Sequence, residues 1–121
     1  MGNIHYVDSS LVNEEVVNLL VERGADATTP SIDGLTPLHF TCKRGHVGVA
    51  RILVEHGAVV TVQDVHQATP LHLASKFGKL DAAQFLIEHG ADVTARDKKG
   101  LTPLHLVSEN PTRSVAHFLR R

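Results

Sequence analysis

Nine histidines and one cysteine, Cys42, are the residues of this 121-residue sequence with the widest chemistry. Imidazoles and thiolates ligate metals, and a Cys–His pair can serve as nucleophile and base. His39, His72 and His105 form the most ordered set, each 33 residues after the last. A shared zinc needs every ring nitrogen within about 2.1 Å of the ion, whereas residues repeated on successive packed helices stand roughly 8–10 Å apart. These three rings therefore do not converge on one ion, and a structural role is expected instead. His56 and His89 each precede a Gly, where a cation favours a helix C-terminus, so they read as caps. Cys42 follows His39 by three residues and precedes His46 by four. No orienting acid, oxyanion element or Gly-rich elbow accompanies it, and a lone thiol of this kind fills a small core position. Neither Gly-x-x-x-x-Gly-Lys nor Gly-x-Gly-x-x-Gly occurs. No catalytic residue, cofactor or metal is expected.

The elements that hold these residues repeat as well. Thr-Pro-Leu-His runs from Thr36, Thr69 and Thr102, and Gly-Ala recurs at Gly24, Gly57 and Gly90, both at a 33-residue period. Leu20, Leu53, Leu86 and Leu119 align without a gap, as do Glu22, Glu55 and Glu88. Thr before Pro starts a helix: the hydroxyl caps an orphan N–H, and Pro at the first position gives up an N–H that had no partner. Gly45 and Gly78 supply the left-handed residue that closes this helix. A second apolar-periodic segment follows, with Val49, Ile52 and Leu53 or Ala82, Phe85 and Leu86. The stretch to the next Thr-Pro fits an extended turn with its tip at Gln67 or Gly100. Two helices of about eight to ten residues cannot bury their apolar faces alone, so successive units stack into a solenoid with a shared core.

The blocks Asp-x-x-Gly-x-Thr-Pro-Leu-His-x-Ala, Gly-His and Leu-x-x-x-Gly-Ala-Asp at this period resemble the ankyrin repeat. The resemblance covers nearly the whole chain and implies an all-α solenoid of helix-turn-helix units joined by hairpin loops, with His39, His72 and His105 hydrogen-bonding near the Thr-Pro helix start and bridging neighbouring repeats. We expect one domain over residues 1–121, with units at about 1–30, 31–63, 64–96 and 97–121 and the terminal two acting as caps. The first is degenerate, with Asn3, Ile4, His5 and Tyr6 at the Thr-Pro-Leu-His positions and Asp8 and Ser9 in register with Thr41 and Cys42. In the last, Arg113 and Arg120 replace apolar residues and Pro111 stands where Gly45 and Gly78 close the helix. Ser31 replaces the loop Asp and Gln67 the loop Gly. Thr28, Thr61 and Thr94 occupy the family's Asn position, so the asparaginyl hydroxylation known for some members is not implied.

Composition directs function toward the surface. Twelve Lys+Arg against thirteen Asp+Glu give a net charge of −1, which provides no bulk attraction to nucleic acid or an anionic membrane. No stretch approaches the ~18 apolar residues of a membrane span, the N-terminus carries no basic or apolar leader, and one cysteine suits a reducing compartment. A cytoplasmic or nuclear monomer is expected. The resemblance implies a concave face of hairpin tips and first helices that binds a protein partner. By register the partner-binding residues are Asp33, Leu35, Lys43, Arg44, Val65, His66, Lys76, Phe77, Arg96, Lys98, Lys99, Leu101, Glu109 and Asn110. Basic residues dominate this set, while Glu14, Glu15, Glu22, Glu55, Asp81 and Glu88 fall on second helices, so the partner surface should be acidic with an apolar centre. The alternatives are an inhibitor that blocks a partner enzyme, a nucleic-acid-binding module, or a fragment of a larger ankyrin-containing protein.

Overall fold

The computed structural model describes residues 9–107, with side chains described from Glu14 onward. That span holds α1 (Ser9–Glu22), α2 (Pro37–Arg44), α3 (Val47–Glu55), α4 (Pro70–Lys76), α5 (Leu80–Glu88) and α6 (Pro103–Val107), and no strand among the described residues. The expectations for Asn3, Ile4, His5, Tyr6, Asp8, Glu109, Asn110, Pro111, Arg113 and Arg120 lie outside it.

Helices α2 and α4 start at their Thr-Pro pairs. Thr36 and Thr69 are extended (φ −89° and −96°), and each hydroxyl oxygen accepts the N–H of the histidine three residues on, at 3.4 Å for His39 and 3.3 Å for His72. Each imidazole in turn receives the N–H of its threonine, so histidine does here what Glu or Gln does in the usual capping box. At the other end Gly45 (φ 78°) and Gly78 (φ 68°) adopt the left-handed conformation, and the following N–H groups of His46 and Lys79 reach back to the Thr41 and Ala74 carbonyls at 3.0 and 2.8 Å. Val12 stands in register with these glycines, and there the helix runs straight on. The turn that Gly45 and Gly78 make is absent at this position, and α1 is continuous over Ser9–Glu22, because the β-branched Val12 is unsuited to the positive φ those glycines adopt.

Two rows result. In the inner row α2 packs on α4 and α4 on α6; in the outer row α1 packs on α3 and α3 on α5; α2 with α3 and α4 with α5 join the rows. Leu38, Leu71, Leu86, Ala50, Ala74, Ala82 and Ala83 are wholly buried between them. The alanines let the rows approach closely, and each buried leucine contributes roughly 1.5–3 kcal/mol of transfer free energy. Val17, Val21, Val54 and Ile87 flank this core half-buried.

The loops form a second repeating system, closed by Ser31 N–H to Leu35 O, Asp64 N–H to Ala68 O and Asp97 N–H to Leu101 O at 2.8, 3.0 and 2.9 Å. Neighbouring loops are tied by Val65 N–H to Asp33 O (3.0 Å) and Lys98 N–H to His66 O (2.8 Å). After the outer helices, Asp26 accepts from Thr28 and Thr29, which holds its carboxyl down at about 2, and Asp92 accepts from Thr94, which lowers its pKa too. At Thr28 and Thr94 these turns show how threonine serves at the family's asparagine position, while Thr61 has Val59 in place of the aspartate.

Candidate functional site

The residues with reactive side chains are built into the scaffold. The Thr36 N–H donates to His39 Nδ1 at 3.0 Å, so that nitrogen carries no proton, and Nε2–H donates to the Ala68 carbonyl at 2.8 Å. His72 repeats the pattern, receiving from Thr69 N–H at 3.1 Å and donating to Leu101 O at 2.9 Å. Both nitrogens of each ring are committed, one to its own cap and one to the next hairpin, which fixes the neutral Nε2–H tautomer. Burial lowers the His39 pKa below its ordinary value, against the Ala68 hydrogen bond and the nearby Asp64 charge, which favour the cation. The Nδ1 atoms of His56 and His89 donate to Ile52 O and Phe85 O at 2.9 and 2.8 Å, so both cap outer helices as their positions imply. Cys42 is buried and free, and desolvation pushes its thiol up to about 12, far from a reactive thiolate. Ser75, its counterpart in α4, is also fully buried, and its Oγ has no hydrogen-bond partner.

The surface is where chemistry is left unspent. A cleft of about 370 Å³ opens where the second and third hairpins meet α4 and α6. Its lining includes His66, Lys76, Lys98, Lys99 and Leu101 from the expected set. It also includes Leu73, Leu106, Asp64 and Asp97, which the register mapping left out. Leu73 and Leu106 occupy equivalent inner-helix positions, a signal present in the repeat alignment. The two carboxylates reduce the expected basic excess, but both are engaged locally. Asp64 Oδ1 accepts the N–H of His66 (2.8 Å) and Ala68 (2.9 Å), and Asp97 Oδ1 accepts those of Lys99 and Leu101 (both 2.9 Å). They brace the loops that present the lysines.

The other expected residues are dispersed. Asp33 and Val65 are exposed and meet through the backbone hydrogen bond between their loops, while Leu35 is half-buried in the first hairpin. The Arg96 guanidinium donates to Gly100 O at 2.9 Å and braces the third hairpin instead of joining the cleft. Phe77, expected at the apolar centre beside Leu101, lies with Lys43 and Arg44 in a separate pocket, because it caps the far end of α4. Glu109 and Asn110 fall outside the described residues. The acids expected on second helices are found there, with Glu15, Glu22, Glu55, Asp81 and Glu88 exposed and Glu14 half-buried.

A family model of ankyrin repeats matches residues 5–97, in three copies. The chain belongs to the ankyrin-repeat family. No curated protein matches it. The ankyrin match ends before Thr102, yet Thr102 and His105 rebuild the same cap, with Thr102 N–H donating to His105 Nδ1 at 3.0 Å. Ankyrin repeats mediate protein–protein interaction and are typically non-enzymatic, and no helix among the described residues is long and apolar enough to cross a membrane.

Proposed function

We propose that this ankyrin domain holds an acidic, partly apolar segment of a protein partner against its inner face, in the cleft between the second and third hairpins. The observation that carries this reading is the lining itself: Lys76, Lys98 and Lys99 stand around Leu73, Leu101 and Leu106. Exposed lysines accelerate encounter with an acidic surface and disfavour basic ones, while desolvated apolar contact supplies most of the affinity. The acids of the outer row repel the same partner, which favours docking on one side. The proposal includes a monomeric array of four units, at about 1–30, 31–63, 64–96 and 97–121, working in the cytoplasm or nucleus.

Immobilised protein, incubated with extract of its source, tests this reading by mass spectrometry of what it retains. Proteins retained by the native chain are expected to be lost, or to associate more slowly and with less salt sensitivity, when Lys98→Glu and Lys99→Glu are combined. Retention undiminished by that double change argues against the cleft. Tight oligonucleotide binding with steep salt dependence would favour nucleic acid instead.

A further inference from the structure

Beside the cleft, the described residues form a second cationic position. The second lies where α2 ends and α5 begins, a pocket of about 440 Å³ lined by Lys43, Arg44, His46, Phe77 and Lys79, with no carboxylate in its lining. Its construction is specific. At Gly45 an added Cβ would stand 3.0 Å from Lys79 Cδ and 3.4 Å from Cγ, so the missing side chain is the space the Lys79 stem crosses to reach the preceding helix pair. Phe77 is 39% exposed, and its ring faces two ammonium groups, Lys43 Nζ at 5.2 Å and Lys76 Nζ at 5.8 Å from the centroid. An aromatic face compensates the Lys43 cation only in part, so an incoming anion meets Lys43, Arg44 and Lys79 along one lining. Helix α5 begins here, and its N-cap residue Lys79 makes no side-chain cap bond, which adds positive dipole potential in the same direction, whereas at α3 the Glu14 carboxylate already stands against Gly48 in the first turn. Asp81 lines the adjoining groove with Arg44 and Lys79 and bounds the positive region on its outer side.

Lys76 connects the two positions, since it lines the hairpin cleft and also approaches the Phe77 ring. We propose that the Lys43–Arg44–Lys79 pocket is a second docking position for the same acidic protein segment, which crosses the inner face from the hairpin tips to the inter-helix turns and sets an apolar side chain on Phe77. This rests on the reading of the cleft given above. A protein segment fits better than a nucleic acid, because the lining offers one phenyl ring, Phe77, and one imidazole, His46, whereas stacking platforms use a longer series of aromatic rings.

The test is an NMR titration of the whole ¹⁵N-labelled chain with a synthetic peptide of alternating Glu and Leu. Amide shifts are expected at residues 43–47 and 77–80 as well as at 97–101. Combining Arg44→Met with Lys79→Met keeps the aliphatic stems and removes both charges. It should weaken binding about tenfold, as for the loss of two exposed ion pairs, and abolish the first two sets of shifts while the third persists. Lys98→Glu with Lys99→Glu should do the converse, and unchanged peptide-free spectra away from the substitutions verify folding. Shifts confined to 97–101, with affinity untouched by the Met pair, would overturn the second position and leave the cleft reading intact. Shifts at 43–47 and 77–80 produced more strongly by oligouridylate at equal ionic strength would overturn the partner class. No shifts at either position would overturn both readings.

Discussion

A buried imidazole with both nitrogens occupied couples a helix cap to the next hairpin, and the coupling depends on one protonation state. His39 accepts at Nδ1, so adding a proton there removes the bond from Thr36 N–H. Its folded pKa lies below the ordinary 6.5, so between those values the unfolded chain binds the proton and the folded chain does not. Stability is therefore full above pH 6.5 and declines as pH falls through the folded value. Denaturant titrations from pH 7.5 to 4.5 should show this decline, and His39→Gln should flatten it; an equal slope in the variant would contradict the assignment. Ser75 is the opposite case, a buried hydroxyl with nothing to bond. Ser75→Ala should raise stability by about 1 kcal/mol, because an unsatisfied buried polar group costs about that much or more, and a lowered thermal midpoint would count against it. The repeat spacing excluded a shared metal, and the resemblance to a known repeat made the histidine role legible in advance. The unpaired hydroxyl of Ser75 was not, since Cys42 occupies the same register and only the packing distinguishes a thiol, which needs no partner, from a hydroxyl, which does.

At the level of elements, each hairpin turns on a left-handed residue, Gly34 (φ 77°), Gln67 (φ 61°) or Gly100 (φ 80°). Gln67 is the exception, and a residue with a Cβ pays about 1–2 kcal/mol there, partly offset by the greater flexibility glycine has when unfolded. Gln67→Gly should thus stabilise the domain by roughly 0.5–1 kcal/mol, read from the shift in urea midpoint at constant slope. Gly34 and Gly100 share a conformation but not surroundings. A Cβ at Gly34 would lie 3.0 Å from the Val65 backbone nitrogen, whereas nothing lies within 4 Å at Gly100. Gly34→Ala should be the more damaging, and equal losses would show that the loop gives way. Gln67 was recognisable from sequence as a departure; its positive φ follows from the loop hydrogen bonds on either side, which leave the backbone no other path. The continuous α1 was less legible, because a missing turn residue at Val12 makes itself felt only once the helix is seen to run through.

The described residues form two helix rows around one thin core, so damage to one unit reaches its neighbours. Leu86→Ala should cost about 2–5 kcal/mol, and far-UV and near-UV circular dichroism should still melt together if the array unfolds as one unit; separate transitions would show the units acting independently. At this scale the fold was legible in the period of Thr-Pro-Leu-His and Gly-Ala. The surface was legible only in part, because register places residues on a face and does not say which share a pocket. Lys76, Lys98, Lys99 and Leu101 meet as mapped, while Phe77 sits at the other end of α4. The central claim is that partners dock on the inner face and not on the acidic outer row. Site-specific photo-cross-linking tests it most directly, with a benzophenone amino acid placed at Lys99 in the hairpin or at Gln84, exposed on α5. Proteins retained by the domain are expected to cross-link from position 99 and not from 84; efficient cross-linking from 84 with none from 99 would place them on the outer row instead.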